Sequence, residues 1–400
     1  MGRMCGQCGG ELISETGYSE WCPACDWNVR PKTGNEWRRE VAKPSRRRTK
    51  LAEDTHQALL KELPSRPNAG LAGLVVIGMA CAVLLFQVVL IALAVWIMVA
   101  SSAKVFSLIF TVPLLVAGVF PFWLVIRSSR GRVRVRRTEC PQLWAHVERT
   151  ASAVGAGKVR RLNFDDRFNV SVHRGVAGSD LTIGLQLWAA LPQPHRTAVL
   201  AHELAHVRNG DPIRGFAVGV SMVALEEWYQ LLRTTRGGFA ALFTAALAWP
   251  VGAYMSLMRK LAALTNQRAE YFADLCAADA VSTETLVAAL ATVHSGSVTA
   301  ATAMQRTPRG GDAWEAIRVR FAELPEGELR RRRRAAELDV DPDPDGTHPP
   351  MGYRIAVLRA HPRTGDASLT ATPEFADEGF AEVQAAVARH MNQGRRRRRR

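Results

Sequence analysis

The sequence predicts a mostly α-helical membrane protein carrying a small β-sheet, and three observations predict it. Residues 71–100 and 105–126 are uncharged apolar stretches, with only Ser101-Ser102-Ala103-Lys104 between them. Further on, segments with apolar residues at helical spacing flank short strand-like runs between 159 and 184. At the amino end, two Cys-x-x-Cys pairs stand in a segment too small to bury a core of its own. The chain divides into a cysteine module at 1–27, a basic linker at 28–70, a two-helix transmembrane hairpin at 71–126, a larger domain at 127–360 and a basic tail at 361–400.

In the first segment, Cys5 and Cys8 pair with Cys22 and Cys25. Gly9, Gly10 and Pro23 allow tight turns around the thiolates, and Trp21 and Trp27 can pack beside them. Four thiolates make a closed tetrahedral zinc site, which folds a module that has little core. The layout resembles a zinc ribbon. Seven cysteines is an odd number, and this pairing favours a metal over a disulfide framework. Residues 28–70 are polar, basic and punctuated by proline, as expected of a linker.

Each apolar stretch reaches the roughly 20 residues that cross a bilayer. Gln87 is the strongly polar side chain of the first. Lys and Arg cluster before the pair (Arg46–Arg48, Lys50, Lys61, Arg66) and after it (Arg127 to Arg137), whereas the connecting loop has one lysine. The positive-inside rule then places both flanks in the cytoplasm of a multi-pass cell-membrane protein. Cytosolic thiols stay reduced, which agrees with zinc at the four cysteines. The charge of +15, from 52 Lys+Arg against 37 Asp+Glu, is concentrated in runs that end in Arg330–Arg334 and Arg395–Arg400. Such runs suggest tails and contact with anionic lipid. Clustered aromatics for base stacking are missing, which counts against a nucleic-acid partner.

Arg132 to Arg136 alternates like a short strand, residues 139–154 read as a helix, and Val159–Phe164, Asn169–His173 and Leu181–Gly184 read as strands. Two further apolar segments, Phe216–Leu232 and Phe239–Met258, are expected either as a second membrane hairpin (216–258) or as helices partly buried in the larger domain. Glu226 and Glu227 make the first costly in lipid. Residues 259–294 are helical in pattern, 296–312 read as a loop, 312–324 and 351–360 as helices, and the last forty residues as a solvated tail.

Within the larger domain, His202-Glu203-Leu204-Ala205-His206 stands on a segment opened by Pro192 and Pro194 and closed by Gly210 and Pro212. On a helix, residues four apart share a face, so both imidazoles can hold one metal ion. Glu203 is placed to take a proton from a water that the metal acidifies. A catalytic zinc takes three protein ligands, and Glu270 can be the third. Asp274, one turn on, can orient a ligand histidine. Thr347-His348-Pro349-Pro350 and Arg354 offer groups for a developing oxyanion, either His348 or Arg354. His173, His195 and His294 read as structural or surface residues.

Leu-Ala-His-Glu-Leu-Ala-His-Val-Arg-Asn-Gly-Asp at 200–211, followed by Arg268-x-Glu270-x-x-x-Asp274, resembles the HtpX-type membrane metallopeptidases and the related CAAX-prenyl proteases. The resemblance implies a zincin-like helical catalytic domain with a small sheet. It implies His202, His206 and Glu270 as zinc ligands, Glu203 as catalytic base and Asp274 as supporting aspartate. It also implies a sheet edge that holds substrate backbone, where Asn169-Val170-Ser171 stands in place of the family's Asn-Ala-Phe. The expected function is a membrane zinc endopeptidase hydrolysing polypeptides from the cytoplasmic side, with membrane-protein quality control as its expected role. It has two zinc ions, one catalytic and one structural, and its contacts are substrate, lipid and a protein partner at the cysteine module. The alternatives are a CAAX-prenyl-type protease and an inactive membrane adaptor that binds through the module.

Overall fold

A computed structural model describes residues 2–31, 46–62, 70–128, 132–175, 178–209, 211–234, 238–308, 311–341, 348–371 and 379–398. In chain order the elements are α1 (Arg46–Lys61), α2 (Gly70–Ala100), α3 (Lys104–Ser128), β1 (Val133–Val135), α4 (Pro141–Ala153), β2 (Val159–Asp165), β3 (Val170–Gly175), β4 (Gly178–Gly184), α5 (Leu185–Ala190) and α6 (Gln193–Asn209). There follow α7 (Asp211–Thr234), α8 (Gly238–Val281), α9 (Thr283–Arg306), α10 (Ala313–Ala322), α11 (Glu326–Glu337), α12 (Met351–Ala360), α13 (Ala367–Thr370) and α14 (Phe380–Arg398). They fall into two compact units, Met1–Arg66 with Arg132–Asn209 and Gln267–Arg400, and Pro67–Gly131 with Gly210–Asn266.

The second unit holds the expected hairpin. Helices α2 and α3 pack on each other, and α7 packs on both. Gly118 lets α3 approach closely, since a Cβ there would lie 2.6 Å from Ile91 and 3.2 Å from the Gln87 carbonyl. Gln87, fully buried, donates to the Gly118 carbonyl at 3.4 Å. The outer faces of α2 and α3 expose Leu85, Phe86, Trp96, Phe106, Ile109 and Phe110, as lipid-facing helices do. The segments 216–232 and 239–258 are helical, in α7 and the first part of α8. They share a small core with α2, in which Ala80, Val83, Ala224, Leu225, Met255 and Met258 are buried. Glu226 is answered by Arg259 at 2.8 Å.

Among the described residues, three helices are long and apolar enough to cross a membrane: Gly70–Ala100, the Val105–Leu124 stretch of α3, and Thr283–Arg306. The third belongs to the first unit. There it packs on α6, α10 and α11, with Leu286 and Leu290 buried in the main core, so its apolar face is covered by protein.

The first unit is built on a four-stranded sheet of order β1-β2-β4-β3. Strands β2 and β4 are parallel and the outer pairs antiparallel, so β3 is an edge. Phe164, Leu162, Leu181 and Ile183 form the buried heart of the sheet. Helix α6 packs on α4, α9 and β3.

Several expectations need correction. The linker 28–70 contains a helix, α1, whose His56 stacks on Tyr353 of α12 at 4.3 Å; neighbouring structure supplies the apolar surface that the basic segment lacks. The loop expected at 296–312 is helical to Arg306, and the helix expected at 259–294 is broken at Ser282, whose hydroxyl caps α9 by accepting from Thr285 N at 3.2 Å. The tail 361–400 contains α14, with Val383 and Val387 buried and Phe380 against Phe164. The Arg330–Arg334 run is no tail either. It lies in α11, where the buried Glu328 accepts from Arg331 at 2.7 and 2.8 Å and from Arg332 at 2.7 Å.

That same helix seats the cysteine module, which extends past residue 27 to Arg30. Trp21 is buried and its indole donates to the Gly327 carbonyl at 3.2 Å. Arg334 grips Asp26 through two bonds of 2.7 and 2.8 Å, Arg331 donates to the Val29 carbonyl at 2.7 Å, and Arg30 donates to the Leu338 carbonyl. Gly327 is a close-approach position, because a Cβ would meet Ile13 at 2.5 Å. The Arg334 guanidinium holds the Asp26 carboxyl below its usual pKa. A depressed carboxylate stabilises docking above the ordinary aspartate range, near 3.9, and loses that contribution as pH falls through the bound value. Arg334→Glu should therefore free the module at neutral pH. In limited proteolysis we expect rapid cleavage within residues 1–31, while the rest of the first unit resists.

Candidate metal centre

Three elements of the first unit converge on one point. Helix α6 presents His202, Glu203 and His206; the later part of α8 presents Glu270 and Asp274; α12 and the residues before it present Arg354 and His348. Small residues bring α6 and α8 together. Ala205 and Ala273 are fully buried against each other's helix, with Cys276 and Phe272 beside them. With methyl groups at the crossing, imidazoles and carboxylates at neighbouring positions can meet.

His202 Nε2 and His206 Nε2 are 3.4 Å apart, and each lies 3.5 Å from a different oxygen of Glu270. Ligand atoms about 2.0–2.1 Å from a tetrahedral zinc are separated by about 3.3–3.4 Å; the imidazole pair matches that spacing, and one donor from each of the three residues lies within 4.8 Å of the others, close enough to share a metal ion. The other imidazole nitrogen of His202, Nδ1, is 3.0 Å from Asp274 Oδ1. A carboxylate in that position fixes the tautomer and leaves Nε2 to face a metal. Burial disfavours the Glu270 carboxylate, but His202, His348 and Arg354 outweigh it and hold the pKa well below the usual value, as an anionic ligand requires.

Arg354, buried, donates to Asp274 Oδ2 from Nε at 2.8 Å and to Oδ1 from Nη2 at 2.6 Å. Its Nη1 is 3.5 Å from Glu270 Oε2. The guanidinium is thus committed to Asp274, behind His202, while it also borders two ligands, Glu270 and His202, whose Nε2 is 3.5 Å from its Nη2. His348 differs: its Nδ1 lies 3.0 Å from Glu270 Oε1, yet 55% of its side chain is exposed. The Glu203 carboxyl has its pKa raised by burial, with His202 and His206 opposing the rise.

The structure therefore brings together every residue expected here from the sequence and separates His348 from Arg354 by exposure. His294 lies apart, 3.8 Å from Asp339, and His195 borders a cavity described below. The arginine clamp on Asp274 carries a stability consequence. Removing one member of a buried ion pair costs about 3–5 kcal/mol. Arg354→Ala should lower the unfolding midpoint of the chain accordingly, and Arg354→Lys, which cannot form the two-pronged contact, should recover only part of the loss.

The four cysteines form the other candidate. All are free, with Cys5 and Cys25 sulfurs 3.8 Å apart and those of Cys8 and Cys22 3.5 Å apart. Thiolates at about 2.3 Å around a tetrahedral zinc would lie about 3.8 Å apart. Sequence reading did not find that Asp26, Arg331 and Arg334 seat this module, and it placed Trp21 beside the thiolates without its partner Gly327. The one local signal was Glu328, placed three and four residues ahead of Arg331 and Arg332, the spacing of ion pairs on a helix.

Residues 177–361 match the profile of Peptidase family M48. That stretch contains α6, Glu270, Asp274, His348 and Arg354, and the match supports a zinc metallopeptidase acting on polypeptides. No curated protein and no solved structure matches the chain.

Proposed function

We propose that this chain is an integral membrane zinc endopeptidase of the HtpX type, with a zinc ribbon at residues 1–27 and its amino terminus and first unit on the cytoplasmic side. The observation that carries the proposal is the triangle of His202, His206 and Glu270 donors, braced by Asp274 and placed beside Glu203. Zinc held by His202, His206 and Glu270 would supply Lewis acidity toward a water and the scissile carbonyl. Glu203 takes the proton of the attacking water and passes it to the leaving amine nitrogen. His348, exposed at the rim, donates a hydrogen bond to the developing oxyanion. Arg354 is a positioning residue, acting through Asp274 on His202.

Strand β3 supports an extended substrate. It is the edge nearest α6, and its outer side can add a backbone strand, which favours unfolded polypeptides of varied sequence. The Lys/Arg flanks of α2 and α3 support the cytoplasmic orientation, and a reporter inserted at Ser102 should then lie outside. The deciding assay uses the full chain, zinc-loaded in lipid nanodiscs, with an unfolded membrane protein and a prenylated CAAX peptide offered separately. The HtpX-type reading requires chelator-sensitive internal cuts in the first substrate. Cleavage of the prenylated peptide alone would favour the CAAX-type alternative, and cleavage of neither would favour a non-catalytic adaptor.

A further inference from the structure

A second site lies in the same unit, built from none of the residues of the metal centre. A cavity of about 440 Å³ opens between α5, the first turn of α6, α9, α10 and α11. Pockets of roughly 300–1,000 Å³ are the size that receives small organic molecules. Its walls are aliphatic and aromatic: Ala190, Leu191, Ala291, Phe321, Leu324 and Leu329 line it. Its polar lining is cationic. Arg196, Arg318, Arg332 and Arg333 contribute to it, and no Asp or Glu does among the described residues.

Part of that charge is met by carboxylates: Arg318 pairs with Glu315. Glu328 is shared between Arg331 and Arg332, one carboxylate for two guanidiniums. Arg333, one residue on, has neither an ion pair nor a hydrogen bond among the described residues. His195, which also lines the cavity, is pushed down to about 4 by burial and by Arg333, so the cationic charge is the arginines' own. Gln193, at the start of α6, supplies an independent sign of a ligand. Both its amide oxygen and its amide nitrogen are buried without a hydrogen-bond partner.

We propose that this cavity binds a single-chain anionic amphiphile, a long-chain carboxylate, with the aliphatic chain against the Ala190–Leu329 walls and the head group at Arg333 and Gln193. The lining selects for both halves of such a molecule. A small hydrated anion would leave the apolar wall uncovered, and a neutral lipid alcohol would bring no charge to meet Arg333. Binding does not depend on zinc at the catalytic centre, so failure here would leave the peptidase proposal standing.

The test uses the full chain in phosphatidylcholine nanodiscs and a photoreactive palmitate, with labelled peptides mapped by mass spectrometry. Labels should fall in 185–196, 288–295 and 318–333. Unlabelled palmitate should compete, while hexadecanol and inorganic phosphate at the same concentration should not. Arg333→Glu, at an exposed position where folding is not at stake, should weaken palmitate binding about tenfold. Labels confined to 70–128, equal competition by hexadecanol, or unchanged affinity in Arg333→Glu would each overturn the proposal.

Discussion

Glu203→Gln is expected to keep zinc at the catalytic centre and to lower peptidase activity by a factor of about 10²–10⁴, the contribution of a positioned general base. The amide matches the carboxyl in size, so α6 and its two histidines stay where they are. What is lost is basicity alone. Burial already raises the pKa of this carboxyl, in the direction that suits a group exchanging protons near neutrality. Cleavage of an unfolded membrane protein by the zinc-loaded variant checks this, and full activity would falsify the assignment of Glu203.

Glu270→Ala should have an opposite signature. It removes the anionic corner of the triangle and leaves two imidazoles, so the chain should lose zinc as well as activity. The loss should exceed the 10–100-fold in affinity that removing a supporting partner such as Asp274 costs. The fold should survive, because Arg354 keeps both of its bonds to Asp274. Zinc content after gel filtration, beside an unchanged helical circular dichroism signal, is the measurement. A variant that still holds a full complement would place the third ligand elsewhere.

The site was legible because its spacing is local. His202 and His206 are one helical turn apart, as are Glu270 and Asp274, and a helix puts each pair on a common face whatever the rest of the chain does. The hairpin was legible for a similar reason, since length and absence of charge suffice to mark it. What escaped is what depends on distant partners. Trp21 meets Gly327, 306 residues away, and nothing near either residue announces the other. Helix α1 lies in a basic segment whose apolar partner, Tyr353, comes from α12. In α14 the buried positions Val383 and Val387 are four apart, a helical stripe masked by the arginines that follow. Arg354 was legible as a cation near the site, but only its burial against Asp274 separates a positioning role from contact with substrate.

The central claim is that one zinc is held by His202, His206 and Glu270, separately from the cysteines. Its most direct test is zinc X-ray absorption on the chain with Cys5, Cys8, Cys22 and Cys25 all replaced by serine. We predict one zinc per chain with a nitrogen and oxygen shell at about 2.0–2.1 Å, no sulfur at about 2.3 Å, and imidazole scattering that disappears together with the metal in His206→Ala. A serine-replaced chain that binds no zinc, or whose zinc signal is unchanged by His206→Ala, would contradict the account.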